Sequence, residues 1–264
     1  SALYEYDRRL RSMSLESLFV FEYSYWLLAA IALMAVLYSS VGHGGASGYL
    51  AAMALWGLAP QEMRPAALAM NILVTCWLLY RFQPYKLMPY RLFWPLVMAS
   101  TPAAFVGGLW VIDVLSYRLL VGVLLGLAAI RMLMSNKTNQ QVQLPVLWLV
   151  LLVGVLLGFS AGLTGIGGGV FLSPILLIFG WCTVRQSTAV AAGFILLNSI
   201  AGLAGYVVSA QPWPLGTGWL MLAAFVGCLL GAELASHRAS SVALRKLLAG
   251  VLVIAAAKMV YSAF

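Results

Sequence analysis

The sequence predicts an all-α polytopic membrane protein of about ten helical segments, and three observations carry that expectation. Of the 264 residues, 63% are hydrophobic and 8% are charged, where a soluble domain is roughly 45–50% apolar and about 25% charged. Too few polar side chains remain to coat a water-facing globule. The apolar residues fall in long unbroken runs such as Leu144–Leu163 and Leu215–Leu234, not in the short alternating segments of a membrane β-barrel. The net charge is +8, but the cations stand between the apolar runs, where they set topology rather than form a nucleic-acid surface.

Ten apolar segments follow in order: Ser24–Ser40, Ala46–Leu58, Pro65–Phe82, Leu92–Ile112, Ser116–Met134, Pro145–Thr164, Gly169–Trp181, Ser187–Ser209, Gly216–Ala235 and Ser241–Tyr261. The first is fronted by Tyr23, Tyr25 and Trp26, an interfacial aromatic belt. Eight segments are long enough to span. The second and seventh are short, about 20 Å at 1.5 Å per residue, against a hydrocarbon core of roughly 30 Å. Each short segment follows a glycine cluster. Residues 1–22 are polar, and no cleavable signal peptide is expected.

The polar stretch Ser135–Gln143 lies near the chain midpoint and divides two halves: residues 1–134, a linker at 135–144, and residues 145–264. The halves repeat. Gly42, Gly44, Gly45 and Gly57 match Gly165, Gly167, Gly168 and Gly180 at one constant offset. Nine Lys and Arg fall on the connections that include the linker and six on the other side, a positive-inside bias that puts the linker in the cytoplasm and both termini outside. Arg64 is counted among the outside charges. Five segments per half, an odd number, make the repeats inverted. The same parity holds whether each short segment crosses or folds back as a re-entrant hairpin, and both versions stay open.

The chemistry concentrates at the glycine clusters. A helix that begins at glycines offers unpaired N–H groups and about half a positive charge from its dipole, an anion site without a basic side chain. Gly42, His43, Gly44, Gly45 and Ser47 form the first candidate set; Thr164, Gly165, Gly167, Gly168 and Gly169 form the second. His43 could bind an anion or carry a proton, since its unperturbed pKa is near 6.5, or simply pack at the turn. Asn71 and Asn198 lie in the long helices that follow, where an amide needs partners. Thr164, Ser173, Ser187 and Thr188 are candidate hydroxyl donors, or bond the preceding helical turn. Gly107, Gly108, Gly227 and Gly231 are expected to serve close helix crossing. Arg185 reads as an interfacial charge, and Glu233 and Lys258 as residues that snorkel to the interface. No acidic residue sits at the centre of a span, which disfavours a cation transporter.

The stretch Gly162-Leu163-Thr164-Gly165-Ile166-Gly167-Gly168-Gly169-Val170-Phe171-Leu172-Ser173-Pro174, followed by Phe179-Gly180 and Ser187-Thr188-Ala189-Val190-Ala191, resembles the TauE/SafE family of sulfite exporters and sulfonate permeases. The first-half copy departs from the pattern: Ala46 replaces the last glycine and Ala51 stands where the proline would be. The resemblance implies a secondary transporter of a small sulfur-containing or other organic anion in a bacterial inner membrane, with protons or another ion as coupling partner. No catalytic residue, metal or cofactor is expected. The alternatives are an anion channel of the same architecture, or a membrane redox protein using Cys76 and Cys182. Three cysteines at wide spacing, with Cys228 the third, make neither a disulfide framework nor a zinc pattern.

Overall fold

The computed structural model describes residues 23–40, 44–82, 88–134, 142–143, 145–236 and 242–263. These form ten α-helices: α1 Tyr25–Ser39, α2 Ala46–Trp56, α3 Pro60–Phe82, α4 Tyr90–Leu109, α5 Val114–Leu133, α6 Leu147–Thr164, α7 Gly169–Ile178, α8 Val184–Val208, α9 Thr217–Ser236 and α10 Val242–Tyr261. Each corresponds to one apolar segment. The clearest boundary shift is at α3, which starts five residues before Pro65. Its first turn is set by Pro60, with Ala59 O accepting from Glu62 N at 2.9 Å and Glu62 Oε2 accepting from Ala59 N at 3.3 Å. Pro65 lies in the second turn, where its missing N–H frees the carbonyl of Gln61. The Tyr206 hydroxyl sits 3.1 Å from that oxygen and 2.9 Å from Pro212 O, sharing its proton between them.

The expected eight spanning segments reduce to four among the described residues: Pro60–Arg81, Tyr90–Leu109, Leu147–Thr164 and Val184–Val208 are long and apolar enough to cross a membrane. Helix α1 has only 15 residues. Helices α5, α9 and α10 each run 20 residues, close to the segments read from sequence. The outward surface stays apolar all the same, with Leu33, Met98, Val123, Leu156, Leu230 and Ile254 exposed, and Tyr25, Trp26, Trp110, Trp148 and Tyr261 exposed near helix ends.

Helices α4, α6 and α8 pack on one another, with α7 against α8. Helices α1, α3 and α9 do likewise, with α2 against α1 and α3. Helix α5 lies along α10, and α3 packs directly on α8, joining the two groups. The closest seams are made by small residues. A Cβ on Gly158 of α6 would lie 2.2 Å from Ser100 O of α4, and one on Gly162 would lie 1.9 Å from Ala104 O. Gly227 and Gly231 of α9 meet Ala32 O and Val36 O of α1, and Gly107 and Gly108 of α4 meet Phe159 O and Gly202 O. These glycines therefore let backbones touch, which is how helices associate where no hydrophobic force separates side chain from solvent.

Three contacts fix where the short helices end. Gln143 N donates to Gly180 O at 2.8 Å, so the chain leaving α7 lies beside the linker and the start of α6. Tyr23 donates to Leu215 O at 2.9 Å, placing the start of α1 at the α8–α9 loop. Lys258 near the end of α10 donates to Leu55 O at the end of α2; this lysine caps a helix rather than snorkelling. The pairs α1–α2 and α6–α7 thus each return to the face they left. We call the two faces the linker face and the terminal face. Arg81 and Glu233 pair at 3.5 Å where α3 and α9 both end, on the linker face.

The seams are testable. Gly158→Val should lower thermal stability in detergent by about 1–3 kcal/mol or more, because the added atoms overlap backbone that cannot yield. Gly250→Ala, with nothing within 4 Å of the new Cβ, should be neutral or gain up to about 1 kcal/mol from helix propensity.

Candidate functional site

Both short helices begin at a glycine in the left-handed conformation. The N-cap of α2 is Gly45, with φ 89° and ψ 1°; that of α7 is Gly168, with φ 72° and ψ −15°. An L-residue is strained there, which is why the chain uses glycine. Neither N-cap offers a side-chain hydrogen bond to the first turn. The opening N–H groups of both helices are therefore uncapped by side chains, inside the protein: Gly45–Leu50 and Gly165–Gly169 are buried throughout.

The two turns meet at one side chain. A Cβ on Gly44 would lie 3.3 Å from Asn71 Oδ1, and one on Gly167 would lie 2.7 Å from Asn71 Nδ2. The amide of α3 is thus wedged between the start of α2 and the start of α7. It donates to Ser199 Oγ of α8 at 3.3 Å, a bond between residues 128 positions apart. Its Oδ1 is buried without a partner, as is Asn198 Oδ1, whose Nδ2 donates to Phe194 O at 2.8 Å. Ile195 lines the same space, 3.2 Å and 3.1 Å from the Cβ positions on Gly44 and Gly167. Thr75 closes one side, with its methyl 2.9 Å from the Gly44 position and its hydroxyl bonded to Asn71 O at 2.6 Å. Asn71, Thr75, Asn198 and Ser199 are all fully buried.

Of the residues singled out in the sequence, Gly44, Gly45, Gly165, Gly167, Gly168, Gly169 and Asn71 are brought together here, with Asn198 on α8 next to Ser199. Gly42 and His43 lie outside the described residues. Ser47 is spent on the Tyr38 hydroxyl, 2.7 Å away. Thr164 holds the second turn: its hydroxyl donates to Ser160 O at 2.7 Å and accepts from Ile166 N at 3.3 Å. Ser187 and Thr188 sit in the first turns of α8 and both donate to Val184 O, at 2.9 Å and 3.2 Å. Twelve residues separate Ser187 from Ser199, about 18 Å of helix. Ala191, one turn on from Ser187, lies 3.8 Å from the Cβ position of Gly169, so Ser187 stands about one turn of α8 from the second glycine turn. Ser199, Ile195 and Thr75 were not anticipated; the signal that marks them is i, i+4 spacing, Asn71 with Thr75 and Ile195 with Ser199.

Arg64 is not an outside charge but a buried one, 3% exposed. Its Nε donates to Gly162 O at 3.0 Å, Nη1 to Trp110 O at 3.0 Å, and Nη2 to Gly107 O at 2.7 Å and Gly108 O at 2.5 Å. The guanidinium also lies 5.4 Å from the centre of the Tyr206 ring. It serves the unpaired carbonyls at the C-terminal ends of α4 and α6, where the helix dipoles favour a cation. The three cysteines are free; Cys182 is buried among Trp181, Val190 and Phe194, and Cys76 is exposed on α3.

Long apolar helices, with two short helices that each return to the face their predecessor left, describe a polytopic membrane protein. The sequence profile of the sulfite exporter TauE/SafE family matches residues 27–259, and the chain belongs to that family. It is 33% identical over 240 residues to a probable membrane transporter protein of Sinorhizobium fredii, covering 89% of this chain and 97% of that one. A probable membrane transporter protein of Methanocaldococcus jannaschii is 42% identical over 59 residues, 22% of each chain. No solved structure matches.

A small change at the meeting point should register. Gly167→Ala puts a side chain on a backbone at φ 75° and 2.7 Å from Asn71 Nδ2, and left-handed strain alone costs about 1–3 kcal/mol. Thermal unfolding should show that loss, whereas Gly126→Ala, whose nearest neighbour is 3.9 Å away, should not.

Proposed function

We propose that this protein is a secondary transporter that holds a small sulfur-containing oxyanion, sulfite or a sulfonate, between the N-termini of α2 and α7. The observation that carries the reading is the meeting of both glycine turns at Asn71. Each helix start supplies about half a positive charge, and Asn71 and Ser199 supply side-chain hydrogen bonds. A fixed charge on an arginine or lysine is then unnecessary at the site. His43, next in the chain to Gly44, is proposed as the proton-carrying or anion-contacting group.

The reading includes two inverted five-helix repeats, α1–α5 and α6–α10. What supports it is that matched residues share backbone conformation: Gly45 with Gly168, and Gly57 with Gly180, all at positive φ. Packing also exchanges between halves, since α4 lies on α6 as α9 lies on α1. The linker face is proposed to be cytoplasmic, with both termini outside, in a bacterial inner membrane.

Gly168→Val should abolish sulfite binding to the purified protein while the variant still folds, and neutralising the exposed Arg185 should leave binding intact. Normal binding by Gly168→Val, or its loss on changing Arg185 alone, would sink the paired-helix site. For the coupling group, transport of a sulfonate that stays ionised should change across about pH 5.5–7.5, and His43→Gln should flatten that profile. An unaltered profile in an active variant removes His43 from the mechanism.

A further inference from the structure

We propose that Arg64 is a positioning residue that keeps the terminal-face route to the Asn71 site shut, and that opening this route requires its guanidinium to leave the carbonyls of α4 and α6. The proposal rests on the interior site described above. Arg64 stands on α3 two turns from Asn71. Four of its five N–H groups are held by Gly107, Gly108, Trp110 and Gly162, so it bridges three helices at one point. Its own backbone abuts the second glycine turn, with Arg64 O 3.0 Å from the Cβ position of Gly165. The same residue therefore ties α3 to the α4–α6 pair and fixes the turn that starts α7.

The opposite end is built differently. At the offset that relates the glycines, Ser187 stands where Arg64 does, and its hydroxyl is spent on Val184 O in its own helix. A cavity of ~540 Å³ opens on that linker face, lined by Tyr90, Arg91, Gln143, Pro145, Trp181 and Gln186. The terminal-face end of α3 is cross-linked by a buried cation, while the linker-face end of α8 opens into a cavity beside the start of α4. Among the described residues Arg64 is held by neutral carbonyls and an aromatic face. A guanidinium that leaves such partners leaves no buried, unpaired carboxylate behind, which is the costly outcome when a buried ion pair is broken.

The test needs no substrate, so its outcome is independent of whether the anion is identified correctly. In protein freed of Cys76, Cys182 and Cys228, Leu68→Cys places a thiol one turn below Arg64, at a fully buried position. Ala128→Cys, buried between α5 and α10, is the control. With Arg64 present, both thiols should react slowly with a membrane-impermeant reagent applied from the terminal face. Adding Arg64→Gln should speed Leu68→Cys at least tenfold and leave Ala128→Cys unchanged. Arg64→Lys, which keeps the charge but not the fork, should give an intermediate rate and covers the case in which Arg64→Gln does not fold. An unchanged rate at Leu68→Cys, or an equal rise at both thiols, overturns the proposal.

Discussion

A helix that begins inside an apolar protein leaves its first N–H groups with nothing to bond, and the rest of this fold answers to that constraint. In water the cost vanishes, since solvent takes the place of the missing carbonyls. In hydrocarbon each unmade bond costs several kcal/mol. Two short helices here begin at buried glycines without side-chain caps. They are tolerated only because α3 and α8 close over them, and those are the longest helices in the chain, at 23 and 25 residues. The small-residue seams let α4 come close enough to α6, and α9 close enough to α1, to seal each side.

Helix ends are sorted by sign. The N-terminal ends of α2 and α7 meet at Asn71, and the C-terminal ends of α4 and α6 meet at Arg64. Among the described residues the first meeting point holds no Lys or Arg, and the second is filled by one. Two turns of α3 separate Asn71 from Arg64, about 10 Å of helix. The same helix therefore links the proposed anion point to the place where a cation is consumed. Exchanging those roles, with a lysine among the glycines, would give an anion a partner it could not leave.

The helices were legible because span length and glycine punctuation are local properties. Every apolar segment became a helix, and the two glycine clusters became two left-handed helix starts. The start of α3 at Pro60 was less legible, because Pro65 is accommodated where Gln61 O finds another donor, and that donor, Tyr206, lies 145 residues away in the chain. Arg64 misled more deeply. As a cation beside an apolar run it reads as a topology marker, and only the tertiary packing turns its side chain inward. Asn71 stood out as a lone amide in a span, but Ser199 could not, since their bond crosses the two halves. Ser187 and Thr188 were favoured by nearness to the glycine motif in sequence; what the sequence did not reveal is that both hydroxyls bond Val184 O in their own helix. That α7 ends beside the linker was not legible either, since it rests on a single backbone bond, Gln143 N to Gly180 O.

Burial at the meeting point separates two ways of moving an ion. A channel keeps its narrowest point wet and open to both sides, so that an ion passes with little rearrangement. Here Asn71, Thr75, Asn198 and Ser199 are fully buried, and Ile195 fills the gap between the glycine turns. An anion cannot replace the missing partner of Asn71 unless α3, α8 or the turns between them shift. If the proposed site is right, its ligand is reached only after such a shift, as in a carrier. The feature that could make such a shift affordable is the glycine seam itself: backbones in contact across Gly158 and Ser100, or Gly231 and Val36, interlock few side chains, and one helix can slide along another without unpacking a core.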